Sequence, residues 1–212
     1  MATDIFYADF DGNGPGFQGA SLPNEDRTNA VFSSWSIGGA PILAGRWELS
    51  YPEYNDAPNR TGGSGRYASV HSNSSEFIDT QVWMISPLID VGKYKDITLL
   101  VDIYFKAQGA GVGEDTLTIS ILTINDKSTS AESVGHHTVD VLGKNMSVND
   151  PELQGTLSWN LSKFSNASHF IQLAFSWYSS MGPASVQLDN IRVQGEENVT
   201  LAPPSNFKVQ KP

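Results

Sequence analysis

The sequence predicts an all-β protein, an antiparallel β-sandwich of the jelly-roll type that galactose-binding and concanavalin-like domains share. Three observations lead to this fold class. Apolar and polar residues alternate in most segments that show any period, helical periodicity is almost absent, and long polar loops rich in glycine separate the segments. About ten strands connected in this way are typical of two antiparallel sheets packed face to face.

Four long segments alternate most clearly and predict the main strands. In the segment Asp96–Phe105, Val101 and Ile103 face one side of the strand. Asp102 and Tyr104 face the other side, which predicts one buried and one wetter face. The other long strands are predicted at Asp115–Ile124, His169–Tyr178 and Ala184–Gln194, and shorter ones at Ile5–Phe10, Arg46–Ser50, Tyr67–His71, Gln81–Ile85, His137–Val141 and Gly155–Asn160.

The end of the chain differs from the rest. Residues 1–197 form the predicted jelly-roll domain, whereas residues 198–212 contain Pro203 and Pro204, which are typical of a stiff linker. The stretch "APPSNFKVQ" resembles the first strand of a fibronectin type III-like domain that is cut short. On that interpretation the natural protein is longer and modular, and a disordered tail is the alternative.

Composition limits the function classes. The chain carries 13 basic and 23 acidic residues, a formal net charge of −10, and no Lys/Arg cluster, which argues against a nucleic-acid binder. There is no cysteine, which excludes disulfides and thiolate chemistry. No apolar run approaches the ~20 residues of a membrane span.

The stretch "DFDGNGPG" begins like a calcium-binding EF-hand loop, with Asp9, Asp11 and Asn13 at alternate positions. That motif needs a bidentate glutamate at its twelfth position and a helix on each side. Ala20 occupies the twelfth position and no helical pattern flanks the loop, so the EF-hand interpretation fails. Asp9 and Asn13 remain secondary candidates as metal ligands.

Catalytic motifs are missing: the sequence has no G-x-S-x-G, no H-E-x-x-H and no phosphate-binding loop. A sandwich-fold polysaccharide hydrolase or lyase is kept as an alternative. It would require Glu48, Glu76, Arg46 and His71 to converge in a groove. A purely structural spacer domain is the third possibility.

Aromatic residues are concentrated in the segment from residue 35 to residue 67. Exposed aromatic rings stack on the C–H-rich faces of sugars, so Tyr51 and Tyr54, in a predicted loop, are candidate ligand contacts. Trp35 and Trp47 are candidates as well. For these two we favour burial in the core, where tryptophan is usually found.

Four segments together resemble cleaved-adhesin-type domains of secreted Bacteroidetes proteins, which are similar to MAM domains and to jelly-roll carbohydrate-binding modules. They are "FYADFDG", "DTQVWMISPLIDVG", "KDITLLVDIYF" and "ASVQLDNIRVQG", and the resemblance spans roughly Ile5 to Gly195. It implies a non-catalytic adhesion or carbohydrate-binding module of a secreted or cell-surface protein, on the bacterial outer surface. Its implied partners are a glycan or an extracellular host protein and other domains of the same chain.

The resemblance also implies a structural calcium ion near the meeting point of the first and last strands. In the family motif the acid after the first-strand aromatic is a ligand, and Asp11 stands there in place of the usual glutamate. Asp189 matches the first acid of the closing motif, and Asn190 replaces the second. Both changes keep the oxygen donors that calcium prefers, and backbone carbonyls of "GGSGRYASV" are expected to complete the site.

Overall fold

The computed structural model describes residues 1–11, 35–40, 47–50, 57–71, 80–106, 115–124, 134–144, 150–165, 170–179 and 185–198. In these residues the structure is an antiparallel β-sandwich, as predicted, with one short 3-10 helix at Ser162–Phe164. The strands are β1 (Thr3–Ala8), β2 (Ser36–Ala40), β3 (Trp47–Ser50), β4 (Tyr67–His71), β5 (Thr80–Ile85), β6 (Ile89–Asp90), β7 (Tyr94–Lys106), β8 (Asp115–Ile124), β9 (Val134–Leu142), β10 (Leu153–Asn160), β11 (Phe170–Ser179) and β12 (Ser185–Glu197).

The strands form two six-stranded sheets. Sheet A has the order β10-β7-β12-β4-β3, and β1 also pairs with β12. Sheet B has the order β2-β5-β11-β8-β9, and β6 also pairs with β11. Because β12 is long, its first half pairs with β4 and its second half pairs with β1 on the same side. The first and last strands therefore lie side by side.

The hydrophobic core lies between the two sheets. Val101 and Ile103 from sheet A and Leu117, Ile119 and Ile121 from sheet B are all fully buried, as the alternation predicts. Each of these side chains removes apolar surface from water, which stabilises the fold by about 1.5–3 kcal/mol per large aliphatic side chain.

The expected wetter face of β7 is buried instead, which corrects the prediction for that strand. Asp102 is 8% exposed and Tyr104 is 2% exposed. Arg60, in the loop of residues 57–66, covers Tyr104: its guanidinium lies 5.4 Å from the centre of the ring and donates a hydrogen bond of 3.0 Å to the hydroxyl. Asp102 accepts hydrogen bonds from the side chains of Thr156 and Asn190. Strand periodicity cannot reveal a loop that folds back over the outside of a sheet.

Most strand boundaries agree with the prediction to within a few residues, and Tyr67–His71 and Asp115–Ile124 agree at both ends. Two short strands, Ser36–Ala40 and Ile89–Asp90, were not predicted. The last strand ends at Glu197. Residues 199–212 lie outside the described part of the chain, so the linker and the fibronectin-like start remain predictions.

Candidate functional site

Two of the four aromatic ligand candidates lie in the hydrophobic core. Trp35 is 6% exposed and Trp47 is 1% exposed. Trp35 packs among phenylalanine rings at centroid distances of 6.0 and 6.2 Å. Neither indole presents a face to a sugar, so both are corrected to core residues, which is the alternative that we favoured for them. Tyr51 and Tyr54 lie outside the described residues, and their assignment stays a prediction.

The outer face of sheet B, meaning its outward-pointing side chains, carries a tryptophan that was not among the candidates. Trp83 on β5 is half-buried, whereas its neighbours Val82 and Met84 are buried in the core. Alternation within the predicted strand Gln81–Ile85 already indicated this, because two apolar residues flanking Trp83 must point to the opposite side.

Trp83 belongs to a row of side chains that crosses the sheet. Pairing continues from Trp83 to Ser176 of β11, then to Thr118 of β8 and to Val141 of β9. Neighbouring strands lie about 4.8 Å apart, so this row extends over roughly 15 Å. Tyr178, also half-buried, is a diagonal neighbour of Trp83 on β11. The face thus combines two aromatic rings with hydroxyl groups.

Gly38 of β2 fixes the position of the Trp83 ring. The two residues are paired across the strands. A Cβ atom added to Gly38 would overlap the six-membered ring of the indole at Cζ2 and Cη2. The ring therefore lies directly over the β2 backbone, and any side chain at position 38 would displace it.

The candidate calcium site lies where β12 changes partners. On one side of β12, pairing with β4 extends to Leu188, and pairing with β1 begins at Ile191. Asp189 and Asn190 lie between these two partners, and the pairing with β7 is also interrupted here. Asn190 adopts a left-handed backbone with φ of 46°, a conformation that asparagine tolerates better than most residues.

The loop of residues 57–66 contacts both predicted carboxylate ligands. Asp189 accepts hydrogen bonds from Asn59 Nδ2 at 2.8 Å and from the Asn190 amide at 2.7 Å. Asp11 accepts a hydrogen bond of 2.9 Å from the backbone amide of Arg66. The structure therefore brings together the two residues that the resemblance paired, from opposite ends of the chain.

Two glycines allow the backbone of this loop to approach the carboxylates. A Cβ atom on Gly63 would overlap Asp189 Oδ2, and one on Gly65 would overlap Asp11 Oδ1. Gly65 also has φ of +80°, which favours glycine. The backbone of the loop therefore packs directly against both carboxylates, in space that a side chain would otherwise need.

Of the two secondary candidates for metal ligands, Asp9 lies in the described part of the chain and Asn13 does not. Asp9 accepts a hydrogen bond of 3.1 Å from the Asp11 amide, and this bond stabilises the turn after β1. Asn13 lies outside the described residues, so its role as a ligand stays a prediction.

The electrostatics of Asp189 favour a cation. The pKa of Asp189 is raised from 3.8 to about 7, chiefly by burial and to a smaller extent by the negative charges of Asp11 and Asp102. The hydrogen bonds from Asn59 and Asn190 act in the opposite direction. Asp189 is 1% exposed, so its negative charge is poorly solvated and is repelled by its acidic neighbours.

Asn190 connects this site to the covered face of sheet A. Its Nδ2 donates a hydrogen bond of 2.8 Å to Asp102, and its Oδ1 accepts one of 2.8 Å from the Tyr7 hydroxyl. Burial raises the pKa of Tyr7, and the charge of Asp9 adds to that effect. Asp102 also accepts a hydrogen bond from the Thr156 hydroxyl. Asp102 was not among the predicted site residues, because it is distant from the calcium motifs in sequence.

The donor set limits which metals fit. Among the described residues, no cluster of three or more His, Cys, Asp or Glu side chains is arranged to hold an ion. A cation between Asp11 and Asp189 would thus need amide or backbone oxygens as further ligands. Such all-oxygen sets suit calcium and exclude the sulfur and imidazole chemistry that zinc and copper prefer.

Three of the four side chains that an enzyme would need lie outside the described residues: those of Arg46, Glu76 and His71. Glu48 lies on the outward side of β3 and is half-buried. In the part of the chain that the structure covers, no helix is long and apolar enough to cross a bilayer.

The sequence matches no protein-family model and no curated protein, but its structure resembles solved ones. One, described as carbohydrate-binding modules of the β-sandwich superfamily, is 11% identical with a TM-score of 0.49, and the match covers 83% of this chain and 64% of that chain. This chain therefore spans less than two thirds of that chain's length.

Two further structures represent both groups that the sequence resembles. The K1 cleaved adhesin domain of Lys-gingipain from Porphyromonas gingivalis W83 is 14% identical, with a TM-score of 0.46 and coverage of 92% of this chain and 99% of that chain. A family 11 carbohydrate-binding module from Clostridium thermocellum is 12% identical, with a TM-score of 0.43 and coverage of 79% and 92%. At these identities the likeness concerns the fold, and the functional argument rests on this chain's own residues.

Proposed function

We propose that the protein is a non-catalytic, glycan-binding adhesion module that a structural calcium ion stabilises. The observation that carries the proposal is the half-buried Trp83 on the outer face of sheet B, held over Gly38. A pyranose ring presents C–H groups that pack well on an indole face. The missing catalytic motifs support a binding role.

Hydrogen-bonding groups surround the aromatic surface. Ser176 and Thr118 follow Trp83 in the same row, and Tyr178 and Gln81 occupy the next row. Sugar recognition generally needs both an apolar surface and a few well-placed polar groups. This face supplies both on strands, whose positions are more rigid than those of loops.

Calcium fits the residues near Asp189. Asp11 and Asp189 would hold the ion together with oxygens of residues 59–66, and the ion would supply the positive charge that the buried carboxylate otherwise lacks. Its role would be to join the two chain ends, and binding to the folded state alone stabilises that state by mass action. We expect a chelator to lower the melting temperature and added calcium to restore it, whereas identical melting curves would argue against the ion.

The setting of the module follows from its proposed function. Binding of extracellular glycans requires a secreted or cell-surface parent protein, and a bacterial outer surface suits the resemblance to adhesin domains. The residues after Asn198 would lead to further domains of that parent chain. An extracellular host protein is the alternative ligand.

The test is glycan-array screening followed by calorimetry with the wild type and Trp83→Ala. Loss of one stacking surface costs about 1–2 kcal/mol, so we expect Kd to weaken by about five- to thirtyfold. Gln154→Ala is the control, because Gln154 is exposed on β10, which belongs to sheet A. Unchanged binding by Trp83→Ala would move the glycan site elsewhere, and no binding at all would favour the spacer function.

A further inference from the structure

A cleft opens between the two sheets beside the end of β12. One wall is β1 of sheet A, and the other is the segment 87–90, which contains β6 of sheet B. The turn that leads from β6 to β7 completes the lining. The cleft has a volume of about 410 Å³ and is mostly apolar, its lining residues being Ile5, Phe6, Pro87, Leu88, Ile89, Asp90, Lys93 and Tyr94.

This cleft brings the hydrophobic core to the surface. Phe6 and Ile89 belong to the core and are 5% and 3% exposed, whereas Leu88 is 43% exposed. Few large apolar side chains among the described residues are so exposed, the others being Met1 and Val141. An apolar side chain that entered the cleft would contact Leu88 and the core residues together, and it would remove apolar surface from water on both sides of the contact.

The last strand ends beside the cleft. The Asn198 amide donates a hydrogen bond of 2.7 Å to the Lys93 carbonyl, and Glu197 pairs with Tyr94. Both acceptor and partner residues line the cleft. Three residues of extended chain span about 10 Å, so the segment that follows Asn198 can reach the cleft directly.

The sequence of that segment suits an apolar cleft. Residues 199–202 read Val-Thr-Leu-Ala, and no charged residue occurs from Val199 to Phe207, although 17% of the whole chain is charged. Segments that stay in solvent are typically rich in charged and polar residues. Leu201 is the large apolar residue directly before the predicted stiff linker, and its insertion would bury no charge.

We propose that Leu201 occupies the cleft and packs against Leu88, so that residues 199–202 cross the end of the sandwich. Pro203 and Pro204 follow at once, and a Pro-Pro pair favours extended, semi-rigid backbone. The residues after Pro204 would therefore leave the domain in a fixed direction. The cleft thus serves to orient whatever the linker carries, and this role depends on neither the glycan site nor the calcium site.

Engineered disulfides test the position of Leu201, because the chain has no cysteine of its own. A disulfide requires Cα atoms about 4.4–6.8 Å apart. The variant Leu88→Cys with Leu201→Cys should form an intramolecular disulfide under mild oxidation, detected by mass spectrometry of non-reduced tryptic peptides.

Lys95→Cys with Leu201→Cys is the matched control. Lys95 is exposed and pairs with Glu196 near the end of β12, but it does not line the cleft. A freely moving segment would reach position 95 at least as easily as position 88. We expect the Leu88 pair to cross-link at least about tenfold faster, because docking raises the effective concentration of one cysteine near the other. Equal rates for the two pairs would overturn the proposal.

Thermal melting gives an independent readout. Leu201→Ser and Leu88→Ser should each lower the melting temperature by about 3–6 °C. The double variant should lose no more than the larger of the two single losses, because both substitutions remove the same contact. Val209→Ser, an apolar residue beyond the prolines, is the control and should melt like wild type. Wild-type melting of Leu201→Ser would overturn the proposal.

A second copy of the chain is the other occupant that the experiment distinguishes. If it filled the cleft, analytical ultracentrifugation would show a concentration-dependent dimer that Leu88→Ser dissociates. The disulfide of the Leu88 and Leu201 pair would then form between chains. Either result would overturn the intramolecular docking of Leu201, whereas a monomer with an intramolecular disulfide supports it.

Discussion

Replacing Asp189 with asparagine should change the stability of the protein in opposite directions with and without calcium. In the metal-free protein, Asp189 is a buried carboxylate whose pKa is raised from 3.8 to about 7, first by burial and then by the charges of Asp11 and Asp102. The folded state therefore binds the proton more tightly than the unfolded state. The stability that Asp189 contributes is therefore greatest below about pH 4 and is lost as the pH rises through about 7.

The size of the effect follows from that shift. At 1.36 kcal/mol per pKa unit, a rise from 3.8 to about 7 means that ionised Asp189 costs about 4 kcal/mol at neutral pH. Asparagine removes the charge but also loses a good acceptor for Asn59, worth about 1 kcal/mol. Asp189→Asn should stabilise the metal-free protein by about 2–3 kcal/mol, or roughly 5–10 °C in melting temperature.

With calcium the order reverses. Wild type gains the free energy of ion binding, about 4.1 kcal/mol at a free ion concentration of a thousand times Kd, which exceeds the 2–3 kcal/mol by which the variant leads without the ion. The variant has lost one of its two charged ligands and gains much less. The wild type should therefore melt above Asp189→Asn in calcium and below it in chelator, at neutral pH.

The assay is thermal melting, followed by tryptophan fluorescence, near pH 4 and near pH 7.5, with chelator or with calcium. Asp4→Asn serves as the control, because Asp4 is an exposed carboxylate that accepts a hydrogen bond of 2.8 Å from Gln194. A variant that melts below wild type in chelator at neutral pH would refute the reasoning, since the buried charge would then be stabilising without an ion.

Two glycine substitutions test the contact of the loop with Asp189 and the position of the Trp83 ring. Gly63→Ala should destabilise the protein by about 1–3 kcal/mol and weaken its calcium response, because the new methyl group overlaps the held Asp189 carboxylate; Ser64→Ala, on an exposed neighbour, should do neither in the same melts. Gly38→Ala should weaken glycan binding about as much as Trp83→Ala does, because the new methyl group displaces the indole. Its stability should change by less than about 1 kcal/mol. If calorimetry gives Gly38→Ala the same affinity as wild type, the position of the ring is unimportant for binding.

The strands could be predicted from the sequence wherever one face is apolar. Asp115–Ile124 is an example, because Leu117, Ile119 and Ile121 are separated by shorter polar residues. Ser36–Ala40 could not be predicted in this way, because its pattern is broken by two adjacent glycines. One of them, Gly38, is needed for contact with Trp83 rather than for the strand itself.

The outward positions were harder to interpret, because their environment depends on segments that are remote in sequence. Tyr104 alternates like a solvent-facing residue and is buried under Arg60. Trp83 lies outside the aromatic cluster of residues 35–67, and only the alternation of its own strand indicates that it points outward. Periodicity indicates which side of a sheet a residue occupies, but not what covers that side.

The pairing of Asp11 with Asp189 came from a family resemblance, and the strand register gives it a physical basis. Pairing with β4 ends at Leu188 and pairing with β1 begins at Ile191, so Asp189 lies in the gap between the two partners, where the loop of residues 57–66 contacts it. An apolar residue would pack there more cheaply than a carboxylate with a pKa of about 7. The calcium ion that we propose would compensate the charge of these acids, and the calcium dependence of Asp189→Asn measures that compensation.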